Sequence, residues 1–241
     1  MHRKHSSPTE KLELPPQLAA MNAKKLTDND IPRLHDRILS KYKNQLGGVV
    51  AKLPPLREVN HWIRLVDKGK QYTYHLPCCP ESLKPQLAEK IQLYTSAKWW
   101  IMASVPQAAP MLCIPKKTGK LRTVIDCRKC NDNMVKDVTP FPDQDQIRMD
   151  VARAGYRSKI DLSNAYEQVC VEPDDVKKTA FSTIFSTFLS QVMQQGDCNA
   201  PATFQRLMTV VLREYIGQFI HVYLNDIFMF SNTLEEHERH L

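Results

Sequence analysis

An amphipathic helix followed by a short hairpin limits the folds open to this chain. Residues 201–215 carry apolar side chains along one helical stripe, with a proline at the first helical position and Asn199 placed to cap the helix. Two short apolar runs at 219–223 and 227–230 then flank a polar tip, which predicts a β-hairpin. A helix and a hairpin that adjoin in this way exclude an all-α and an all-β chain.

Helical and strand patterns alternate along the rest of the chain, which favours an α+β or mixed α/β class. Residues 1–45 are polar and basic and read as a leader or linker, in which Ile31–Tyr42 has the spacing of a short helix. Trp62–Val66 alternates like a strand, and residues 81–100 have helical spacing. Ser158–Leu162 is predicted to be a strand that turns into a helix.

Composition indicates the surroundings and a class of partner. Lys and Arg number 33 against 26 Asp and Glu, and the net charge of +7 favours a polyanionic partner. The seven cysteines have no secretory spacing, and no apolar signal core follows the first residues, which favours an intracellular protein of the cytoplasm or nucleus that is not secreted. No run reaches the roughly 18 apolar residues of a membrane span. The lone Cys127-x-x-Cys130 pair does not predict a metal site.

A second predicted hairpin is strongly basic. Residues 111–114 and 121–125 are apolar runs, and Gly119 between them can adopt the positive φ of a tight connection. Six cations against a single acid occupy positions 116–129: Lys116, Lys117, Lys120, Arg122, Arg128 and Lys129. On a two-stranded ribbon these side chains could bind phosphates, or they could be a solvated edge whose lysines prevent aggregation.

Two aspartates stand at predicted strand ends. Asp161 closes an apolar strand, and Asp226 lies at the tip of the carboxyl-terminal hairpin. If neighbouring strands bring them together, their oxygens would suit Mg²⁺, which supports phosphoryl transfer. An aspartate at a turn is also common without any metal, so the residues alone leave both interpretations open.

The order of these segments resembles the reverse transcriptase of gypsy-type LTR retrotransposons. The likeness runs from about Leu53 to the last residue. The matching stretches are Leu53–His61 (LPPLREVNH), Pro115–Arg122 (PKKTGKLR), Ser158–Tyr166 (SKIDLSNAY), Lys178–Phe181 (KTAF), Asn199–Met208 (NAPATFQRLM) and Val222–Asp226 (VYLND). Several colinear motifs are far more specific than one, and they identify the chain as a member of this family.

The resemblance implies an α+β right-hand polymerase fold with fingers and palm and without a thumb. It assigns residues 46–157 mainly to fingers with the basic hairpin, and 158–241 mainly to a palm that is incomplete at its carboxyl end. The implied activity is RNA-directed DNA polymerisation with two Mg²⁺ ions, for which Mn²⁺ could substitute. The implied partners are an RNA or DNA template–primer and a deoxynucleoside triphosphate, with no membrane. The oligomeric state stays open.

The resemblance also implies roles for individual residues. Asp161, Asp226 and Asn225 match the catalytic positions, and the carbonyl of Leu162 would be a further metal ligand. The residues that match the nucleotide pocket are Lys116, Lys117, Arg122, Tyr166, Gln195 and Gly196, of which Tyr166 is the steric gate against a ribose 2′-hydroxyl. The remaining cations, Lys120, Arg128 and Lys129, would bind the nucleic acid backbone.

The sequence departs from the family pattern at three places. The family hairpin reads Tyr-x-Asp-Asp, and Asn225 replaces its first acid. Residues 185–190 and 193–197 have also changed polarity, with Leu189 in place of Glu and Asp197 in place of Leu. One unit charge at 4 Å is worth roughly 4 kcal/mol at an effective dielectric of about 20, so we expect weak or absent polymerisation. The alternative is a non-catalytic nucleic-acid-binding relic or a fragment reused by its host.

Overall fold

The structure, a computed structural model, describes residues 30–46 and 51–241. The chain divides into two compact units, Met1–Lys43 and Asn44–Leu241. In the first unit, helix α1 (Asp30–Lys41) confirms the helix predicted at 31–42, and none of its residues is buried. The rest of the predicted leader, residues 1–29, lies outside the described residues. A four-residue helix, α2 (Lys43–Leu46), follows α1 along the chain.

The second unit alternates helices and strands, as the α+β class requires. Its helices are α3 (Lys84–Ser96), α4 (Arg128–Asn131), α5 (Gln144–Arg153), α6 (Ala200–Leu212) and α7 (Leu234–His240), with 3₁₀ turns at Glu81–Leu83, Tyr166–Gln168 and Pro173–Thr179. Its strands are β1 (Trp100–Met102), β2 (Ala109–Pro115), β3 (Leu121–Ile125), β4 (Tyr156–Asp161), β5 (Phe181–Ser182), β6 (Thr187–Ser190), β7 (Ile220–Tyr223) and β8 (Asp226–Ser231). Among the described residues, no helix has the length and apolar character needed to cross a bilayer.

Five strands form one sheet in the order β1-β6-β5-β2-β3. The predicted basic hairpin is its β2–β3 edge, and Gly119 in the connection has φ +76°. The predicted strand at Trp62–Val66 is wrong, because within it only Leu65 makes an isolated bridge, to Met134, and no ladder forms. The helix predicted over 81–100 ends at Ser96, since Lys98 adopts φ +60° and the chain turns into β1.

Three antiparallel strands form a second sheet in the order β4-β8-β7. Helix α6 confirms the helix predicted from 201, but it ends at Leu212, and Val211 is 59% exposed although it belongs to the predicted stripe. Asn199 occupies the N-cap without a side-chain cap bond. Its amide instead donates to the Val135 carbonyl and its Oδ1 accepts from the Asp137 N–H.

Two apolar clusters lie behind the two sheets. The first is built around Trp99, Phe181 and Phe188, and the predicted strand residues of the basic hairpin pack against it. The second is centred on Phe204 and Val222 and packs α6 against the three-stranded sheet. The second cluster supports the strand ends that carry Asp161 and Asp226.

Candidate active site

Asp161 and Asp226 are brought together by strand register. They are direct partners in the antiparallel β4–β8 ladder, as the last residue of one strand and the first of the other. Opposed residues in such a ladder hold their Cβ atoms about 4.5–5.5 Å apart. The expectation that folding joins these two carboxylates is therefore confirmed.

A buried glutamine fixes the turn of the β7–β8 hairpin. Leu224 adopts φ +54°, a left-handed conformation that disfavours a residue with a Cβ. The Leu224 N–H donates to Oε1 of Gln205 at 2.8 Å, and Nε2 of Gln205 donates to the Val222 carbonyl at 3.2 Å. Gln205 is only 1% exposed. This role was not predicted from the sequence, although a glutamine inside an apolar helical stripe is a signal for one.

Asn225 directly precedes Asp226 and its side chain bonds to Asp161. Its Nδ2 donates to Oδ1 of Asp161 at 3.2 Å, while its main-chain carbonyl accepts from the Leu162 N–H at 2.9 Å. The side chain therefore contributes a donor where a carboxylate would contribute a negative charge. The main-chain bond does not depend on the identity of that side chain.

Lys159 forms an ion pair within the site that was not predicted from the sequence. Its Nζ lies 2.9 Å from Oδ2 of Asp226. Alternate residues of a strand face the same side, so the sequence places Lys159, two residues before Asp161, on the same face as that carboxylate. Lys159 and Asp161 thus share a face of β4, with Asp226 opposite Asp161 on β8.

The oxygen donors of the site fit a magnesium ion. Asp161 and Asp226 supply carboxylates, and the main-chain carbonyl of Leu162 follows Asp161 directly. Mg²⁺ prefers such hard oxygen ligands, typically one or two carboxylates together with substrate phosphates. Across residues 30–46 and 51–241, no group of three or more His, Cys, Asp or Glu side chains is arranged to hold a metal, so an ion here would take its other ligands from carbonyls, substrate or solvent.

Tyr166 belongs to the same packed region as the two acids. Its ring contacts Phe204 of α6 edge-on, with the centroids 5.7 Å apart. Both Tyr166 and the apolar neighbours of the acids, Ile160 and Ile227, pack against the cluster under the three-stranded sheet. Burial raises the pKa of the Tyr166 hydroxyl, so the side chain is a neutral, positioned ring at neutral pH.

Gln195 and Gly196 lie against the base of the basic hairpin. The Ile125 N–H donates to the Gln195 carbonyl at 3.2 Å, and Nδ2 of Asn131 donates to the Gly196 carbonyl at 2.8 Å. Gly196 has φ +117°, and a Cβ there would stand 2.2 Å from the Ile125 carbonyl oxygen. Only glycine permits this close approach.

The structure divides the six predicted cations into two groups. Four lie on the β2–β3 hairpin with exposed side chains: Lys116, Lys117, Lys120 and Arg122. The prediction that all six share the ribbon is wrong for Arg128 and Lys129, because the chain leaves the sheet at Asp126 and both belong to α4.

These two cations are bonded within the protein. Arg128 donates to both carboxylate oxygens of Asp126, at 2.7 and 2.6 Å, and Nζ of Lys129 donates to the Thr73 carbonyl. The Arg128 hydrogen bonds hold the pKa of Asp126 at about 2. Since Arg128 is already neutralised by this pair, it offers less to a phosphate than the hairpin lysines do.

The substitution at Asp197 is balanced by a buried histidine. Nε2 of His61 lies 3.0 Å from Oδ2 of Asp197, and Nδ1 of His61 lies 3.1 Å from Oγ1 of Thr203. The His61 and Asp197 side chains are 1% and 6% exposed. This pair was not predicted from the sequence, since its members are 136 positions apart. Leu189, the other change of polarity, lies half-buried opposite Ile101 in the β1–β6 ladder.

Two carboxylates opposed where β4 meets the tip of the β7–β8 hairpin, above the cluster that packs α6, are a donor arrangement suited to metal-assisted nucleotidyl transfer. The model of the family described as reverse transcriptase (RNA-dependent DNA polymerase) matches residues 114–241, which is more than half of the chain. The chain belongs to this family, and it carries a reverse transcriptase domain of the kind found in retrotransposon polyproteins.

The similarity to individual proteins supports the same family assignment. The chain is 30% identical over 205 residues to the retrovirus-related Pol polyprotein from transposon 297 of Drosophila melanogaster, which covers 83% of this chain and 19% of that protein. It is 39% identical over 124 residues to an RNA-directed DNA polymerase homolog of Oenothera berteroana, covering 50% of this chain and 87% of the homolog. The chain thus spans about a fifth of the transposon 297 polyprotein.

Solved structures support the right-hand polymerase fold. The foamy viral protease–reverse transcriptase in complex with double-stranded DNA superposes with a TM-score of 0.70 at 24% identity, covering 98% of this chain and 42% of that one. The same viral enzyme with an RNA/DNA hybrid also gives 0.70, at 20% identity, covering 98% and 32%. At these identities the likeness establishes the fold.

Proposed function

We propose that this chain is the fingers and palm part of an RNA-directed DNA polymerase whose own catalysis is impaired at Asn225. The observation that carries the proposal is the direct register of Asp161 and Asp226 at the hairpin tip, with an amide in place of a third carboxylate. Residues 46–157 would be mainly fingers and 158–241 mainly palm.

Asp161, Asp226 and the Leu162 carbonyl would hold Mg²⁺, or Mn²⁺ in its place. When bound, such ions neutralise charge on the transferring phosphoryl group and activate the primer 3′-hydroxyl. The protein's own task is to keep the two carboxylates opposed, which the β4–β8 register does. Tyr166, half-buried against Phe204, would limit the space for a ribose 2′-hydroxyl.

The basic hairpin would bind the triphosphate and the nucleic acid backbone. Arg122 with Lys116 or Lys117 would contact the incoming nucleotide, and Lys120 the backbone. Their exposure on one ribbon, the net charge of +7 and the nucleic acids held by the structurally similar viral enzymes support this assignment. Gln195 and Gly196, which contact the hairpin base, would line the same pocket.

Impairment follows from the charge at position 225. Replacing a carboxylate by an amide removes one unit charge from a metal a few ångströms away, worth roughly 4 kcal/mol at an effective dielectric near 20. Each ~1.4 kcal/mol is a factor of ten in rate, so a loss of about a thousandfold is expected. The amide also donates to Asp161, which occupies one lone pair of a metal ligand.

The test is primer extension on an RNA template with Mg²⁺ or Mn²⁺. The parent chain, Asn225→Asp and the double variant Asn225→Asp/Asp161→Asn are compared at equal concentration. We expect little extension by the parent, a gain with Asn225→Asp, and loss of that gain in the double variant. Robust extension by the parent would refute the impairment, and extension that survives loss of Asp161 would refute the site.

A second candidate function is nucleic-acid binding without catalysis. The observation that favours it is that both acids already have partners in the protein, Asn225 on Asp161 and Lys159 on Asp226. Salt-sensitive binding of template–primer by the parent and by Asn225→Asp, with extension by neither, would favour this function.

A further inference from the structure

The Lys159–Asp226 pair places a positive charge beside a proposed metal ligand. The ammonium lies 2.9 Å from Oδ2 of Asp226 and 5.7 Å from the ring centroid of Phe228. The Lys159 side chain is 52% exposed and that of Asp226 is 27% exposed. The carboxylate is therefore held by a flexible cation that reaches solvent.

The charges of the site determine what this contact does. Asp161 and Asp226 are negative, Asn225 is neutral and Lys159 is positive, which leaves one net negative charge. A divalent cation that binds Asp226 must compete with the ammonium for the same oxygen and must also approach a like charge. The lysine can turn away along its four-carbon stem while its charge stays over the Phe228 ring or in solvent.

We propose that Lys159 is an internal counter-ion that competes with a divalent cation for Asp226 and thereby lowers the metal affinity of the site. This inference rests on the proposed function, because it requires Asp161 and Asp226 to bind a metal. It adds a residue that regulates loading of the site and does not itself contact substrate.

The strand supplies a matched control. Arg157 lies two residues before Lys159 on the same face of β4, opposite Phe230, and carries the same charge. Arg157→Gln removes one positive charge from the same face, at a ladder position farther from Asp226. A difference between Arg157→Gln and Lys159→Gln thus isolates the contact from the general electrostatic field.

The experiment measures binding of Mn²⁺ by electron paramagnetic resonance in the full chain, without nucleotide. We expect Lys159→Gln to tighten binding about tenfold, equivalent to about 1.4 kcal/mol, because one unit charge at this distance and partial exposure has an effect of that order. Lys159→Arg, which keeps the charge, should bind like the parent, and Arg157→Gln should change the affinity less than about twofold. Thermal unfolding of each variant verifies that the fold is retained.

The outcomes separate this inference from the proposed function. Equal affinity of the parent and Lys159→Gln, with binding lost in Asp226→Asn, would refute the counter-ion and leave the metal site in place. Equal tightening by Lys159→Gln and Arg157→Gln would also refute it, in favour of a general field effect. Failure of the parent, Lys159→Gln and Asn225→Asp to bind any Mn²⁺ would refute the metal site and this inference together.

Discussion

Gly196→Ala should destabilise the protein strongly, because two independent effects act at this position. An alanine at φ +117° is strained by about 1–3 kcal/mol. Its Cβ would stand 2.2 Å from the Ile125 carbonyl oxygen, so the backbone must separate there. That movement would weaken the hydrogen bond from the Ile125 N–H to the Gln195 carbonyl, which is worth about 1 kcal/mol. We expect a loss of about 3 kcal/mol or more in the free energy of unfolding, measured by urea denaturation.

Gly119→Ala is the matched control for backbone strain without a clash. Gly119 also has a positive φ, +76°, but a Cβ there would meet nothing within 4 Å. The strain alone is about 1 kcal/mol, partly offset by the reduced freedom of the unfolded chain. At about 2–4 °C per kcal/mol for a domain of this size, the two variants should differ in Tm by roughly 4–8 °C. Equal losses would refute the close packing of Gly196 on the hairpin base.

Four further changes have defined outcomes. In EDTA, Asn225→Asp should lower the free energy of unfolding by about 1 kcal/mol and so lower Tm, because the new carboxylate repels Asp161. Mn²⁺ should raise the Tm of this variant more than that of the parent. Equal responses of the two proteins to the metal would contradict this. His61→Ala should cost about 2–3 kcal/mol in urea unfolding, because buried Asp197 loses its hydrogen bond with the imidazole and keeps the one from the Asn199 N–H. A loss below about 1 kcal/mol would contradict this. The pKa of Asp126 is lowered from 3.8 to about 2, so this carboxylate stabilises the fold above about pH 4 and loses that contribution as the pH falls toward 2. Asp126→Asn should therefore show a smaller fall in Tm between pH 4 and pH 2 than the parent. Changing Lys116, Lys117 and Lys120 to Gln should reduce the slope of log affinity for template–primer against log salt by about 1–2, because one of the first two lysines is assigned to the nucleotide. An unchanged slope would remove the hairpin from the interface.

Local sequence patterns predicted the parts of the site that are built from neighbouring residues. The apolar patterns at 158–162 and 227–230 are long enough to define strands, and Asp161 and Asp226 stand at the ends of the strands that form. The turn at Gly119 could be predicted because glycine is the one residue of the basic connection that readily adopts a positive φ. Lys159 was readable in principle, since it shares a strand face with Asp161.

Contacts between distant segments could not be predicted in this way. His61 and Asp197 pair across 136 positions, and nothing in either local pattern indicates a partner. The alternation in Trp62–Val66 matches a strand, yet the segment finds partners only at isolated positions, such as the Val66 N–H bonded to the Asn133 carbonyl. Periodicity describes which face a residue can bury, and tertiary packing decides whether a ladder forms.

The hydrogen bonds that fix the backbone of the hairpin tip do not depend on the side chain at position 225. The turn is fixed by the Gln205 side chain on the Leu224 N–H, and the Asn225 main-chain carbonyl accepts from Leu162. The register of Asp161 with Asp226 is set by six consecutive residue pairs of β4 and β8. Replacing Asn225 by aspartate should therefore leave the backbone in place while it adds a negative charge and removes the amide hydrogen bond to Asp161. A backbone shift in Asn225→Asp would mean that the amide bond to Asp161 shapes the tip, and the expected recovery of metal binding would then lose its basis.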